Sequence, residues 1–250
     1  MARQKYVQIE SKNALLELLR DGRDFEKIYL ASTAYKDAKT KEIVQIAGER
    51  HIPIERVSRR ALGRRVKTSN FESIVGLLYQ ENQYGLDELL DQLYEAGQQP
   101  FFIILDHVKY SQNIGAITRT AFAAGVNGII TPIKKGNIFT NETARISMGA
   151  SERIPIVEMN LFTAIKELKK NAIKVFAVSM NEGKNYFSEN LKGPLAFLVG
   201  AEDVGISSGV HERVDETLNI PMREGIGSLN VSSSTAVVLY EKLRQEVSKK

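Results

Sequence analysis

Cysteine is absent from the 250 residues. Disulfides, thiolate metal sites and cysteine nucleophiles are therefore excluded. Histidine is scarce: His51, His107 and His211 are the three in the chain, with no HExxH-type spacing, so no metal is expected. No apolar run approaches the length of a membrane span. The opening MARQKYVQIESKNALLELL lacks the apolar core of a signal peptide, and the expectation is a soluble, cytoplasmic protein. The usual nucleotide and hydrolase signatures are missing too: there is no GxxxxGK[ST] phosphate loop and no GxSxG nucleophile elbow. The nearest approach to a dinucleotide fingerprint, Gly225-Ile-Gly227-Ser-Leu-Asn230, lacks the third glycine.

What is present is a hydrophobic content of 43%, enough for a packed core, and a net charge of +4 that is unevenly spread. Residues 56–67, RVSRRALGRRVK, hold Arg56, Arg59, Arg60, Arg64, Arg65 and Lys67 and no acid. So one-sided a run repels itself unless an anion neutralises it. Arg59, Arg60, Arg64 and Arg65 are therefore candidate contacts to nucleic-acid phosphates. The plain alternative is a solvated face.

The pattern along the chain divides it into a small α/β part over 1–80, a linker helix within 81–99 and a larger part over 100–250. In the first part, KNALLELLRDG (12–22) reads as an amphipathic helix ending at Gly22, KIYLAS (27–32) as a strand, residues 35–51 as a second helix and IPIERV as a second strand. GLDELLDQLYEAGQ (85–98) reads as the connecting helix. The second part opens with PFFIILD (100–106), an almost wholly apolar run that suits a strand buried on both faces. Similar runs follow at 127–133, 153–159, 173–179, 194–200 and 216–222, with helical patterns between most of them. Strands alternating with helices predict an α/β fold with a parallel sheet covered on both sides.

In such sheets ligands bind beyond the carboxyl ends of the strands. Three loops at such ends are rich in glycine and small polar residues: DHVKYSQNIGAITR, GAEDVGISS and REGIGSLNVSSS. That composition permits close backbone approach to a ligand.

Three stretches within these regions, NIGAITRTAFAAGV (113–126), LVGAEDVGI (198–206) and IPMREGIGSLNVSSSTAVVLYE (220–241), resemble, in order and spacing, the motifs of the SpoU (TrmH-type) RNA 2′-O-ribose methyltransferases of the SPOUT superfamily. The N-terminal part is similar to the small ribosomal-protein-like α/β domain that many members carry for RNA binding. The resemblance implies a parallel-sheet domain with a C-terminal trefoil knot, S-adenosylmethionine bound in the knotted loops, and a homodimer formed through that domain. The apolar face of the last helix, Ala236, Val237, Leu239, Tyr240 and Leu243, could supply part of the dimer interface; ordinary packing within one chain is the alternative. By resemblance Gly200, Ile220 and Leu229 line the adenosine site, and Gly225, Gly227 and the small serines allow the backbone to pass close to the cofactor.

The implied reaction transfers a methyl group from a sulfonium to a ribose 2′-oxygen. By resemblance Arg119 is the main catalytic residue, with Asn113 and Glu202 orienting it or the substrate, and Ser228 and Asn230 bonding to substrate or to neighbouring loops. Arginine is almost always protonated. Arg119 therefore acts either as a base of depressed pKa or as a phosphate clamp that stabilises the developing alkoxide. Each residue also has a bland reading: a helix cap for Asn113, a surface charge for Arg119, a dipole partner for Glu202, turn residues for Ser228 and Asn230.

There are departures from the family pattern. His107 stands where many members have glycine, and SNFESIVGLL replaces a His-Gln-Gly element of the first domain. The two-domain layout resembles members acting on large-subunit ribosomal RNA. Transfer RNA is the second reading, and a non-enzymatic RNA-binding ribosome assembly factor is the reading from another class.

Overall fold

The computed structural model describes residues 6–34, 37–66, 72–79, 84–133, 139–180, 182–224 and 227–248. The chain forms two compact units, 1–81 with 139–153, and 82–138 with 154–250.

The first unit is a four-stranded sheet with helices packed against it. Its elements are β1 (Tyr6–Ile9), α1 (Lys12–Arg20), β2 (Phe25–Ala31), α2 (Ala38–Glu49), β3 (Ile54–Val57), α3 (Arg59–Gly63) and β4 (Ile74–Tyr79). The sheet order is β1-β4-β2-β3; β4 runs antiparallel to both of its neighbours and β3 parallel to β2. Helix α1 buries Ala14, Leu15, Leu16, Leu18 and Leu19, and α2 adds Ile43 and Ala47 to the same core. Leu62 of α3 is fully buried beside Ala31 and Val75, which turns the arginines of that short helix outward. Lys67 lies outside the described residues.

The second unit begins with α4 (Leu86–Glu95), β5 (Phe101–Asp106), α5 (Ser111–Ala123) and β6 (Gly128–Thr131). The chain then leaves it. Helix α6 (Asn141–Ile146) and the 3₁₀ turn Ala150–Glu152 belong to the first unit, where Asn141 donates to Glu10 at 3.0 Å and Arg153 to Asp21 at 2.9 Å. The second unit resumes with β7 (Ile156–Glu158), α7 (Leu161–Lys170), β8 (Lys174–Ser179), β9 (Lys184–Asn185), β10 (Leu195–Gly200), α8 (Ser208–His211), β11 (Glu216–Asn219) and α9 (Val231–Val247).

Its seven strands run in the order β7-β6-β5-β10-β8-β11-β9, and every pairing is parallel. The apolar runs that read as strands form the sheet. Phe102, Ile104, Val175, Ala177, Ala196 and Leu198 pack on one face beneath α4 and α7. Their alternates Phe101, Phe176 and Phe197 point to the other face. The Phe101 and Phe197 rings meet edge-on there at 6.0 Å, and Lys242 of α9 lies over Phe101. Lys242 is only 1% exposed and donates to the carbonyls of Leu191 and Gly193, besides pairing with Glu246. Two boundaries differ from the sequence reading. The helix at 85–98 is not a free connector, since Leu86, Leu89, Leu90 and Leu93 are core residues of the second unit. Residues 139–153, read as part of the larger domain, complete the first unit instead.

Candidate active site

Chain order makes β10 return between β5 and β8, so the loops that follow β5, β10 and β11 converge at one end of the sheet. They are tied by side chains. Asn113, third residue of α5, donates from Nδ2 to Glu202 Oε1 at 2.8 Å. Asn230 donates to the same oxygen at 2.6 Å and to Asn113 Oδ1 at 3.0 Å. The backbone N–H of Val231 approaches Glu202 Oε1 at 3.4 Å. Asn230 also caps α9, its Oδ1 accepting from Ser232 N at 2.9 Å and Ser232 Oγ at 2.6 Å. Its amide is thus fully used, and the carboxylate partner fixes which end is nitrogen. Glu202 sits at the N-terminus of α9, where the helix dipole favours a negative charge.

The simple readings therefore divide. Asn113 caps nothing: the cap of α5 is Tyr110. Asn230 is a cap as well as a cluster member. Glu202 is a dipole partner, but of α9 and not of the short helix that follows it in sequence.

Beside this cluster lies a cavity of about 450 Å³, lined by the ends of β8 and β10 and the two later loops. Small-molecule sites span roughly 300–1,000 Å³. Gly200, Glu202, Ser228 and Leu229 line it. Ser228 does so without joining the hydrogen-bonded cluster. Ile220 is buried one layer back, its N–H on the carbonyl of Ser179, which does line the cavity. Gly200 shows why its position rejects a side chain: a Cβ there would lie 2.2 Å from the carbonyl carbon of Gly205 and 2.4 Å from Ile206 N. The expected crowding at Gly227 is not found, since nothing lies within 4 Å of where its Cβ would be; Gly225 lies outside the described residues.

Residues 100–240 match the SpoU rRNA Methylase family, and residues 9–84 match the RNA 2′-O ribose methyltransferase substrate-binding family. The chain belongs to the SpoU rRNA methylase family. Among full-length relatives, RlmB of Pectobacterium atrosepticum, a 23S rRNA (guanosine-2′-O-)-methyltransferase, is 31% identical over 95% of this chain and 96% of its own. YacO of Bacillus subtilis, whose description places it in the TrmH family of tRNA/rRNA methyltransferases, is 30% identical over 97% of both chains. The fold is that of solved SpoU structures. AviRb of Streptomyces viridochromogenes, crystallised with AdoMet, superposes with a TM-score of 0.81 at 18% identity, covering 98% of this chain and 92% of that one. The AdoMet-bound rRNA methyltransferase of Sinorhizobium meliloti gives 0.78 at 23% identity, covering 98% and 88%.

In this SpoU chain Arg119 is exposed on α5, holds no partner among the described residues, and is not part of the cavity wall. His107 has φ 58°, a left-handed conformation that glycine adopts freely. Sequence reasoning missed Asp106, 4% exposed, whose Oδ2 accepts from Ser207 N at 2.8 Å and Ser207 Oγ at 2.6 Å, stapling the loop after β5 to the one after β10. Its signal was available: an acid closing a wholly apolar strand must find donors. In the first unit Arg59, Arg60, Arg64 and Arg65 are all exposed. Arg65 lies 4.8 Å over the Tyr29 ring and 3.6 Å from Glu55; the other three carry no ion pair among the described residues. No helix among the described residues is long and apolar enough to cross a membrane.

Proposed function

We propose that this SpoU chain is an S-adenosylmethionine-dependent RNA 2′-O-ribose methyltransferase acting on large-subunit ribosomal RNA in the cytoplasm. The observation that carries the reading is the Asn113–Glu202–Asn230 cluster set beside a cavity into which backbone, not side chain, is presented at Gly200. Full-length likeness to RlmB, a 23S rRNA methyltransferase, supports the ribosomal substrate. The breadth of the YacO description keeps transfer RNA as the second reading.

The cavity suits the cofactor chemically as well as by size, offering a bare backbone ledge at Gly200, the apolar Leu229 and Val199, and carboxylates for polar ends. S-adenosylmethionine supplies, when bound, an electrophilic methyl group on a sulfonium. The rest is done by the chain. Asn113, Glu202 and Asn230 hold one another, so the loops need no reorganisation when RNA arrives. Glu202 Oε1 is taken by protein donors, which leaves Oε2 and the Ser228 hydroxyl to orient the ribose. Arg119 clamps the phosphate beside the target ribose through its planar fork and stabilises the negative charge that develops on the 2′-oxygen during transfer. Because Arg119 lies outside the cavity wall, bound RNA or a second copy of the chain must bring it to the reacting atoms. We infer a homodimer for that reason. Tyr240 and Val247 of α9 and Phe122 of α5, 49%, 67% and 36% exposed, are the large apolar residues these packed helices leave uncovered, whereas Leu239 is core. We also infer the trefoil knot. The ties of Lys242 and Gln245 to residues 189–193 support it, since they place α9 against the segment preceding β10.

Calorimetry with S-adenosylhomocysteine, followed by mapping of ribose methylation on 23S rRNA from wild-type and deletion cells, tests the reading. Binding of the product and the loss of one ribose methyl group are expected. Product binding with an unchanged rRNA map and a lost tRNA methyl group would select the second reading. No product binding, with or without RNA, would leave a non-enzymatic RNA-binding assembly factor.

A further inference from the structure

The cavity has a second acid that the catalytic reading does not use. Glu182 follows β8 and lines the cavity together with His211 of α8. The two face each other, with His211 Nε2 3.6 Å from Glu182 Oε1 and 3.0 Å from Thr217 Oγ1. The residues that follow Glu182 are anchored on β11. Gly183 has φ 99°, and a Cβ there would lie 2.2 Å from the Thr217 carbonyl oxygen, so only glycine lets the loop rest on β11. The next two residues, Lys184 and Asn185, are β9 and pair with Leu218 and Asn219 of β11. Lys184 then bridges to Glu216 at 2.8 Å and Glu189 at 3.1 Å. The backbone beside Glu182 is thus anchored, while its carboxylate stays 64% exposed at the cavity wall.

We infer that Glu182 is the acceptor for the ribose 2′- and 3′-hydroxyls of the cofactor's adenosine, with His211 as its positioning residue. This rests on the methyltransferase reading above. Gly183, next to Glu182, rests on β11, which stands two strand positions from β10, on the order of 10 Å at the usual strand spacing, so Glu182 borders the side remote from Glu202. The methyl group must face Glu202 and the target ribose. The adenosine proposed to lie along Gly200, Ile220 and Leu229 then extends toward β11, the strand against which the loop rests at Gly183, beside Glu182. Two vicinal hydroxyl donors match the two oxygens of a carboxylate, as acids do for ribose in other parallel-sheet proteins.

The test is titration calorimetry of wild type, Glu182→Gln and Glu182→Ala with three ligands. They are S-adenosylhomocysteine, 5′-methylthioadenosine, which lacks the amino-acid group, and the 2′-deoxy form of S-adenosylhomocysteine. Melting curves of the variants should match wild type, because the side chain is exposed. Glu182→Ala should weaken S-adenosylhomocysteine and methylthioadenosine alike by about tenfold, with the 2′-deoxy ligand changed by less than about threefold. Glu182→Gln should fall between. If S-adenosylhomocysteine weakens but methylthioadenosine does not, the carboxylate holds the ammonium group and the inference is wrong. Equal affinities for all three proteins would make Glu182 a solvated rim acid. Failure of wild type to bind S-adenosylhomocysteine would overturn the methyltransferase reading itself, a result the variants cannot mimic.

Discussion

The polar groups proposed to meet RNA are treated in opposite ways in the two units. In the second, the loops beyond the sheet satisfy one another: Asn113, Asn230 and the N–H of Val231 all converge on one oxygen of Glu202, and Asp106 takes two donors from Ser207. In the first, Arg59, Arg60 and Arg64 project from a helix anchored by Leu62 with no ion pair among the described residues, while Glu152 is 4% exposed in the interior. Groups already paired are set for a reaction that allows no rearrangement. Groups left open need something outside the chain, or a proton, to be satisfied. Arg119 breaks the pattern by being an open cation in the well-paired unit, and for that reason it is the residue most exposed to experiment.

Arg119→Ala should lower single-turnover methyl transfer by at least about a hundredfold, with the melting temperature and S-adenosylhomocysteine affinity kept. Arg119→Lys restores charge without the planar fork, so rescue by lysine would reduce the role to charge alone. A wild-type rate for the alanine variant would return Arg119 to the ordinary surface. In the first unit, changing Arg59, Arg60, Arg64 and Arg65 together to alanine should flatten the slope of log affinity against log salt by up to about three units. Cofactor affinity should not move. An unchanged slope would mean that the open cations are a solvated face and that the contrast between the units is accidental.

Glu152 sharpens the comparison through pH. Burial pushes its carboxyl from 4.5 up to about 7, against the opposing pull of the Ser151 hydroxyl and the Arg23 charge. A raised acid is protonated in the folded chain where the unfolded chain has lost its proton. Stability attributable to this group is therefore full below pH 4.5 and declines as pH climbs to 7, by roughly 3 kcal/mol. Urea unfolding at pH 5 and pH 8 should show Glu152→Gln gaining on wild type by about that amount across the interval. A parallel pair of curves would show that Glu152 is solvated or fully paired. The smallest effect belongs to the paired unit. His107→Gly relieves a left-handed backbone at the cost of the 3.0 Å contact to Asp106, which keeps both Ser207 donors. It should raise stability by no more than about 1 kcal/mol, read as a small rise in melting temperature.

Much of this architecture is legible from residue patterns. Runs such as PFFIILD and PLAFLVG are apolar at every position because both faces of a parallel strand are covered, and they formed β5 and β10. Strand β9 and helix α8, two and four residues long, are too short to carry a period, and what defines them is pairing and packing with β11 and its neighbours. The same limit explains the site. The residues of Asn113, Glu202 and Asn230 stand out because loops dense in glycine and small polar residues surround them. Asp106, Ser207 and Glu182 sit in unremarkable local sequence, and only the order in which β10 and β9 enter the sheet brings them to the cavity or its supporting loops. The excursion of 139–153 was illegible for a related reason: its contacts, α6 with β1 and Gly149 with Ala14 of α1, join segments over a hundred residues apart.

That excursion also sets a timetable for synthesis. On the ribosome the first 81 residues emerge as a nearly complete sheet, but the surface that receives α6 and the turn at Ala150–Glu152, where Gly149 sits against Ala14, has nothing to cover it. Chains lengthen at about 5–20 residues per second, so the gap lasts several seconds while α4, β5, α5 and β6 are made. A fragment cut after β4 would keep that vacancy permanently and present it to chaperones and to other nascent chains. Expression of the first unit for RNA-binding work therefore calls for residues 139–153 to be supplied as well, grafted by a short linker or added as a peptide.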